Sequence, residues 1–182
     1  MAYILLIFTI GFSAEDIEYI GNREYIPNLV KSIKNAEKTI DVAMYSAGYY
    51  PQYTGGPDRE VYSAMFDAVK RGVKIRVILD ASDWNTSNTR KNQITADYLR
   101  SGGVKVWWDP PDITTHSKIV IIDTLYCIVG STNWTYYAFV HNNETSLLVK
   151  SRPLAERLEK FFSDLLRVST VKQPLKALKK GD

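Results

Sequence analysis

Read for the spacing of its apolar positions, the chain alternates between two periods. DIEYIG alternates apolar and polar residues and reads as a short strand. NREYIPNLVKSIKNAEK follows with Ile26, Leu29, Val30, Ile33 and Ala36 at helical spacing. TIDVAMYS is strand-like, and the Gly and Pro of GYYPQYTGGPD mark a loop. Asp58 can cap a helix carrying Val61, Met65, Ala68 and Val69, which Gly72 ends. KIRVILD is the next strand, so a strand, a helix and a strand occur in the order of a right-handed parallel crossover.

The polar stretch ASDWNTSNTRKN reads as a loop before a second helix, TADYLRSGG, and VKVWW is a further short strand. HSKIVIID and CIVGSTN form a hairpin, and ETSLLVK is another strand. PLAERLEKFFSDLLR sets Leu154, Leu158, Phe161, Phe162 and Leu165 on one helical face, with Pro153 in the first turn. The pattern predicts one α/β domain over residues 15–168, with a mixed, mostly parallel sheet flanked by helices. Residues 1–14 form an apolar segment that reads as a secretory signal or membrane-associated segment, with a first core strand as the competing reading. The former would put the protein outside the cell, in a periplasm or at a membrane, and the latter in the cytoplasm. Residues 169–182 form a basic tail carrying Lys172, Lys176, Lys179 and Lys180, suited to a phosphate backbone, anionic headgroups or plain solvent.

Composition narrows the chemistry. A chain of 182 residues supports one sizeable core, and a net charge of +3 is too small to imply nucleic acid by itself. The single cysteine, Cys127, excludes an intramolecular disulfide and sits in an apolar run. One Cys and two His make a His/Cys zinc site a poor fit. Asp41, Asp80, Asp83, Asp109 and Asp112 leave an all-carboxylate magnesium site open, though no motif groups them.

One of the two histidines begins the apolar hairpin. Side chains alternate along a strand, so His116 and Lys118 share a face and Asp123 falls on the other. Ser131 and Asn133 also share a face, and a two-residue turn at Thr124-Leu125 would set Lys118 opposite Ser131 and His116 opposite Asn133. A slip of one residue would send Ser131 and Asn133 away. An imidazole, an ammonium, a hydroxyl and an amide in one patch suit a phosphate: the donors hold anionic oxygens and the imidazole can attack phosphorus. A lone His-x-Lys is ordinarily a surface histidine; the constellation carries the weight.

His116-Ser117-Lys118, four apolar residues, Asp123 and then Gly130-Ser131-Thr132-Asn133 resemble the HKD motif of the phospholipase D superfamily. From about Asp16 to Arg167 the order of elements is similar to that of its short single-motif, nuclease-like members. The resemblance implies that His116 is the nucleophile of a phosphohistidine intermediate and that Lys118 and Asn133 bind phosphate oxygens. Ser131 would assist, Asp123 would orient structure, and Glu144 would be the acidic partner of the imidazole. The family mechanism uses two histidines, and His141, in HNN, is not part of a second motif. The resemblance therefore implies a homodimer sharing one active site, with no cofactor and no metal. It implies a phosphodiesterase, most readily an endonuclease acting on DNA or RNA. Phospholipid hydrolysis at a membrane and a nucleic-acid-binding dimer without turnover are the alternatives. Trp84 with Arg90 and Lys91, and Tyr45, Tyr49, Tyr50 and Tyr53, are candidate contacts for bases and phosphates.

Overall fold

The structure, a computed structural model, describes residues 14–173. The apolar segment lies outside the described residues except for Ala14, and so does the tail from residue 174, with Lys176, Lys179 and Lys180. The elements are β1 (Asp16–Tyr19), α1 (Tyr25–Asn35), β2 (Thr39–Met44), α2 (Pro57–Lys70), β3 (Lys74–Leu79) and α3 (Thr86–Ser101). Then come β4 (Lys105–Trp108), β5 (Lys118–Ile122), β6 (Tyr126–Gly130), α4 (Tyr136–Val140), β7 (Ser146–Lys150) and α5 (Arg152–Val168).

The seven strands form one mixed sheet in the order β1-β7-β6-β5-β2-β3-β4. The α/β class and the single mixed sheet are as expected. The pairing is not mostly parallel: β2–β3 and β3–β4 are parallel, while β1–β7, β7–β6, β6–β5 and β5–β2 are antiparallel. Only the strands joined by α2 and α3 need crossover helices; the hairpin and the returning strands reverse direction.

Helices α1 to α4 share the larger core, packing Leu29, Ile33, Val61, Met65, Leu99 and Phe139 among the inward side chains of β2 to β6. The opposite face is thinner. There α5 alone crosses β2, β5 and β6, burying Ala155 and Phe162 against Ala43, Ile78, Ile119, Ile121 and Cys127. Cys127 is buried, and burial pushes its thiol up to about 12. Asp41 is also on this face, held by Arg76 at 2.5 and 2.7 Å. The Arg76 guanidinium lies 5.1 Å from the Phe162 ring, while Phe161, the next residue back, is exposed. Val149 of β7 is still buried on this face, but next to it the face is left open. Register places Tyr19, Leu147 and Val129 in one row of this face, beside Ile17, and all four are exposed.

Three boundaries differ from the sequence pattern. Helix α3 begins inside the stretch that reads as a loop. Asn85 caps it by accepting from the Asn88 amide, and the buried face runs Asn88, Thr89, Asn92 and Thr95 before reaching Ala96 and Leu99, so no apolar period marks its first turns. Helix α2 is entered through Gly56 and Pro57, and Asp58 is a buried first-turn residue rather than the cap. A 3-10 turn, Asn22–Glu24, precedes α1.

Candidate active site

The site lies where β2, β3 and β4 end and β5 begins. Tyr45 follows β2, Asp80 follows β3, Asp109 follows β4, and His116 stands two residues before β5. Parallel strands gather their following loops at one edge, where open sheets commonly bind ligands.

His116 is exposed and Lys118 is 8% exposed. Lys118 Nζ lies 3.2 Å from His116 Nδ1 and donates to the His116 carbonyl at 2.7 Å. The Tyr45 ring lies under both: its centroid is 4.5 Å from the imidazole and 5.1 Å from Nζ. Burial lowers the Lys118 pKa from the ordinary lysine value, against the pull of Glu144 and Asp80. A desolvated ammonium on an aromatic face is a strong site for an anion, because water competes weakly there.

The hairpin register corrects the expected one. Ile119 pairs with Val129 and Ile122 with Tyr126, so Lys118 falls across from Gly130, not Ser131. The connection has three residues, Asp123 to Leu125, with Asp123 and Thr124 both at positive φ and the Leu125 amide donating to the Ile122 carbonyl. Thr-Leu cannot make the tight turn on its own. The shift sends Ser131 outward, where its hydroxyl donates to Glu144 and accepts the Thr145 amide at 3.0 Å. Thr132 is turned inward instead, against the Ser146 hydroxyl at 3.0 Å. Asn133 lies beyond the strand, and its Oδ1 is buried with no hydrogen-bond partner. A buried orphan acceptor calls for an explanation, and a ligand-binding role is one.

Glu144 is engaged by Ser131 and by Asn142 Nδ2, at 3.0 Å from the latter, and not by the imidazole. Asp123 is at the far end of β5 from His116. Its carboxylate accepts from the amides of Glu37, Lys38 and Thr39 at 2.9, 2.8 and 2.9 Å. The first of the aspartates without a motif, Asp41, is the Arg76 partner; Asp80 and Asp109 converge on the Thr115 amide at 3.1 and 3.0 Å. Among the described residues no group of three or more His, Cys, Asp or Glu is placed to hold a metal ion.

Of the aromatic candidates, Tyr45 forms the floor of the site, whereas Tyr49 is stacked on Tyr98 at 3.6 Å. Trp84 is exposed, with its indole Nε1 donating to Thr114 at 2.9 Å, and Tyr53 is exposed in the loop after β2. Lys91 is half-buried, which lowers its pKa. Tyr136 and Tyr137, which no sequence pattern marks, are exposed on α4 and in ring contact with His141 at 5.7 and 5.5 Å.

With this geometry in place, comparison with known proteins decides the family. The family described as cardiolipin synthase, PLD-like domain, matches residues 29–166. The chain belongs to this family, within the phospholipase D superfamily. Phospholipase D of Rickettsia prowazekii (strain Madrid E) is 32% identical over 136 residues, covering 74% of this chain and 60% of the relative. Mitochondrial cardiolipin hydrolase of Xenopus tropicalis is 32% identical over 95 residues, 52% of this chain and 43% of the relative. The chain thus spans about 60% of the length of the first of these relatives. Among solved structures, the phospholipase D family member Nuc from Salmonella typhimurium superposes with a TM-score of 0.71 at 22% identity, covering 85% of this chain and 95% of that one. NucT from Helicobacter pylori superposes with a TM-score of 0.68 at 20% identity, covering 85% and 98%. Both likenesses establish the phospholipase D fold. Among the described residues no helix is long and apolar enough to cross a membrane.

Proposed function

We propose that the protein is a phosphodiesterase working through a phosphohistidine on His116, with nucleic acid as its substrate and a second copy completing the site. The observation that carries this reading is the contact between the exposed His116 imidazole and the desolvated Lys118 ammonium on the Tyr45 ring.

At rest Lys118 is directed at Nδ1. An ammonium donating there leaves the imidazole proton on Nε2, and that tautomer cannot attack through Nε2. An arriving phosphate draws Lys118 to its own oxygens, and the proton can then reside on Nδ1. Nε2 donates its lone pair to phosphorus, the P–O bond to the leaving group breaks, and an acid supplies the proton that the departing oxygen takes. Water then attacks the phosphohistidine, the P–N bond breaks, and the same acid, now a base, removes the water proton. Lys118 and the Asn133 amide oppose the charge that builds on the phosphoryl oxygens, while Ser131, its hydroxyl hydrogen given to Glu144, supports them from behind.

A single chain offers one His116, and the acid is assigned to the His116 of a second copy. The bare apolar row of Tyr19, Leu147 and Val129 supports this assignment. It runs along the sheet end where Gly130 and Ser146 lead into the site. Burying such a face drives association.

Nucleic acid is favoured by the exposed His116 imidazole and by the exposed ring of Trp84, held to Thr114 two residues before His116, which offers a face for stacking. A second reading, phospholipid hydrolysis, is favoured by the relatives named phospholipase D and cardiolipin hydrolase. The deciding experiment offers labelled single- and double-stranded DNA and RNA, and separately cardiolipin vesicles, to wild type and His116→Ala in excess EDTA. Metal-independent cleavage of oligonucleotides by wild type alone supports the first reading. Turnover of vesicles alone replaces it with the second, and equal activity of the two proteins removes His116 from the chemistry.

A further inference from the structure

Two aspartates that no motif groups stand directly behind the nucleophile. Leu79 and Trp108 are paired in neighbouring parallel strands, so Asp80 and Asp109, one residue further on, leave the sheet side by side. Both are buried, at 0% and 1% exposure. Each accepts the same proton: the Thr115 amide lies 3.1 Å from Asp80 Oδ1 and 3.0 Å from Asp109 Oδ2. Their other oxygens are also engaged. Asp109 Oδ1 accepts the Ala81 amide at 2.7 Å, and Asp80 Oδ2 accepts the Ser82 hydroxyl at 2.6 Å. Asn88 Nδ2 lies 3.5 Å from Asp80 Oδ2 and donates to the Tyr45 carbonyl at 2.9 Å. Tyr45 is the ring against which His116 rests.

Burial of two carboxylates on one shared amide is costly, and a loop anchor needs only one. What distinguishes this amide is its place: Thr115 immediately precedes His116, and Asp80 also reaches the Tyr45 floor through Asn88. We propose that Asp80 and Asp109 are positioning residues for His116, a carboxylate pair that grips the amide before it and so holds the imidazole in attacking register. This rests on the reading of His116 as the attacking group. The pair touches neither substrate nor imidazole in this arrangement and acts through backbone and ring. Burial raises the pKa of both carboxyls, Asp109 to about 6 with the Asp80 charge adding to it, as two acids confined together should.

The test uses the full chain and two readouts: hydrolysis of bis(p-nitrophenyl) phosphate, and the imidazole NMR signals of the two histidines, assigned with His116→Ala and His141→Ala. Asp80→Asn and Asp109→Asn should each lower kcat by about 10- to 100-fold, since small misplacements of a reacting group cost that much, with KM changed less than about twofold. The double variant should be no worse than the weaker single one, because both carboxylates hold one amide. His116 signals should move while those of His141 stay. Asp41→Asn, which removes a buried carboxylate on the other sheet face, should lower Tm and leave kcat and the His116 signals alone. Folded Asn variants with wild-type kcat and unmoved His116 signals overturn the proposal. Should neither Asn variant fold, Ser82→Ala decides. Loss of one donor to Asp80 should shift the His116 signals and lower kcat, and no change in either overturns the pair's role. If wild type and His116→Ala hydrolyse the probe equally, the attacking-group reading fails. The NMR arm then stands by itself: moved His116 signals uphold the positioning and unmoved ones end it.

Discussion

Ser131 donates its hydroxyl hydrogen to Glu144, so the acidic residue that the motif resemblance assigns to the imidazole is bound instead to the motif's own serine. Glu144 is held further by Asn142, and its backbone amide donates to Asn22 Oδ1 at 2.7 Å. The pair forms a polar strut between the end of β6 and the start of β7. Ser131→Ala and Glu144→Gln should therefore affect turnover to a similar extent, and the double variant should match the worse single one. Additive losses would show that Glu144 has a second partner during the reaction, the imidazole being the obvious one.

His116→Ala should reduce turnover by at least about a thousandfold, the scale expected when a nucleophile is removed, and leave Tm nearly unchanged. The side chain is exposed, so little packing is lost. Residual activity within tenfold of wild type, measured by single-turnover kinetics, would remove it as nucleophile. Lys118→Met keeps the stem and removes the charge. It should lose activity while gaining stability, because a desolvated cation is replaced by an apolar chain of similar length. A thermal melt beside the assay reads both signs at once.

Asp123 accepts three successive backbone amides where the chain enters β2, those of Glu37, Lys38 and Thr39. Hydrogen bonds to a charged acceptor contribute about 1.5–3 kcal/mol where burial is appreciable, and the exposure of this segment argues for the low end. Asp123→Ala should cost about 2–4 kcal/mol of stability in urea, counting the amides left to solvent, yet keep kcat per folded molecule. A large loss of kcat in folded protein would place Asp123 in the chemistry.

The motif was legible because its residues lie on consecutive elements, where alternation brings side chains together from sequence alone. Its register was not, since a turn with Asp123 and Thr124 at positive φ is decided by the capture of Asp123 by amides more than eighty residues earlier. The first turns of helix α3 escaped for a related reason, though its second half was legible: the buried side chains there are amide and hydroxyl, and Asn92 spends its side chain on the Ala47 amide and the Tyr45 and Asp80 carbonyls. Hydrophobic periodicity registers only burial by apolar groups. The convergence of Asp80 and Asp109 depends on strand order, which no local pattern carries.

Burial lifts the Asp109 carboxyl to about 6, above the roughly 3.9 of an unfolded chain. Between these values the folded protein binds a proton that the unfolded chain has released. The resulting stability is complete below about pH 4 and is lost as pH rises through 6. Asp109→Asn cannot titrate. The stability of wild type relative to this variant should fall on the order of 2–3 kcal/mol between pH 4 and 6.5. Urea unfolding of both proteins across this range measures it; carboxylates away from the pair cancel, and the coupling of Asp109 to Asp80 is part of what the difference reports. A flat difference would show that Asp109 is ionised throughout.

The proposed shared site makes the open apolar row an exposed prediction. Tyr19, Leu147 and Val129 form one row, and their exposures of 56%, 42% and 36% leave more apolar surface open than a core-facing sheet row ordinarily does. A charge placed in the middle of that row would be desolvated in a dimer and hydrated in a monomer. Leu147→Glu should therefore shift sedimentation from dimer to monomer while leaving the fold intact, because the residue touches solvent in the single chain. Under the proposed shared site turnover should fall with the dimer, since each imidazole would lose a partner's acid, and specific activity of wild type should drop on dilution below the dissociation constant. A monomeric Leu147→Glu protein with wild-type kcat would sink the shared site and require the acid to come from the same chain, where Lys118 is the group already in contact with His116.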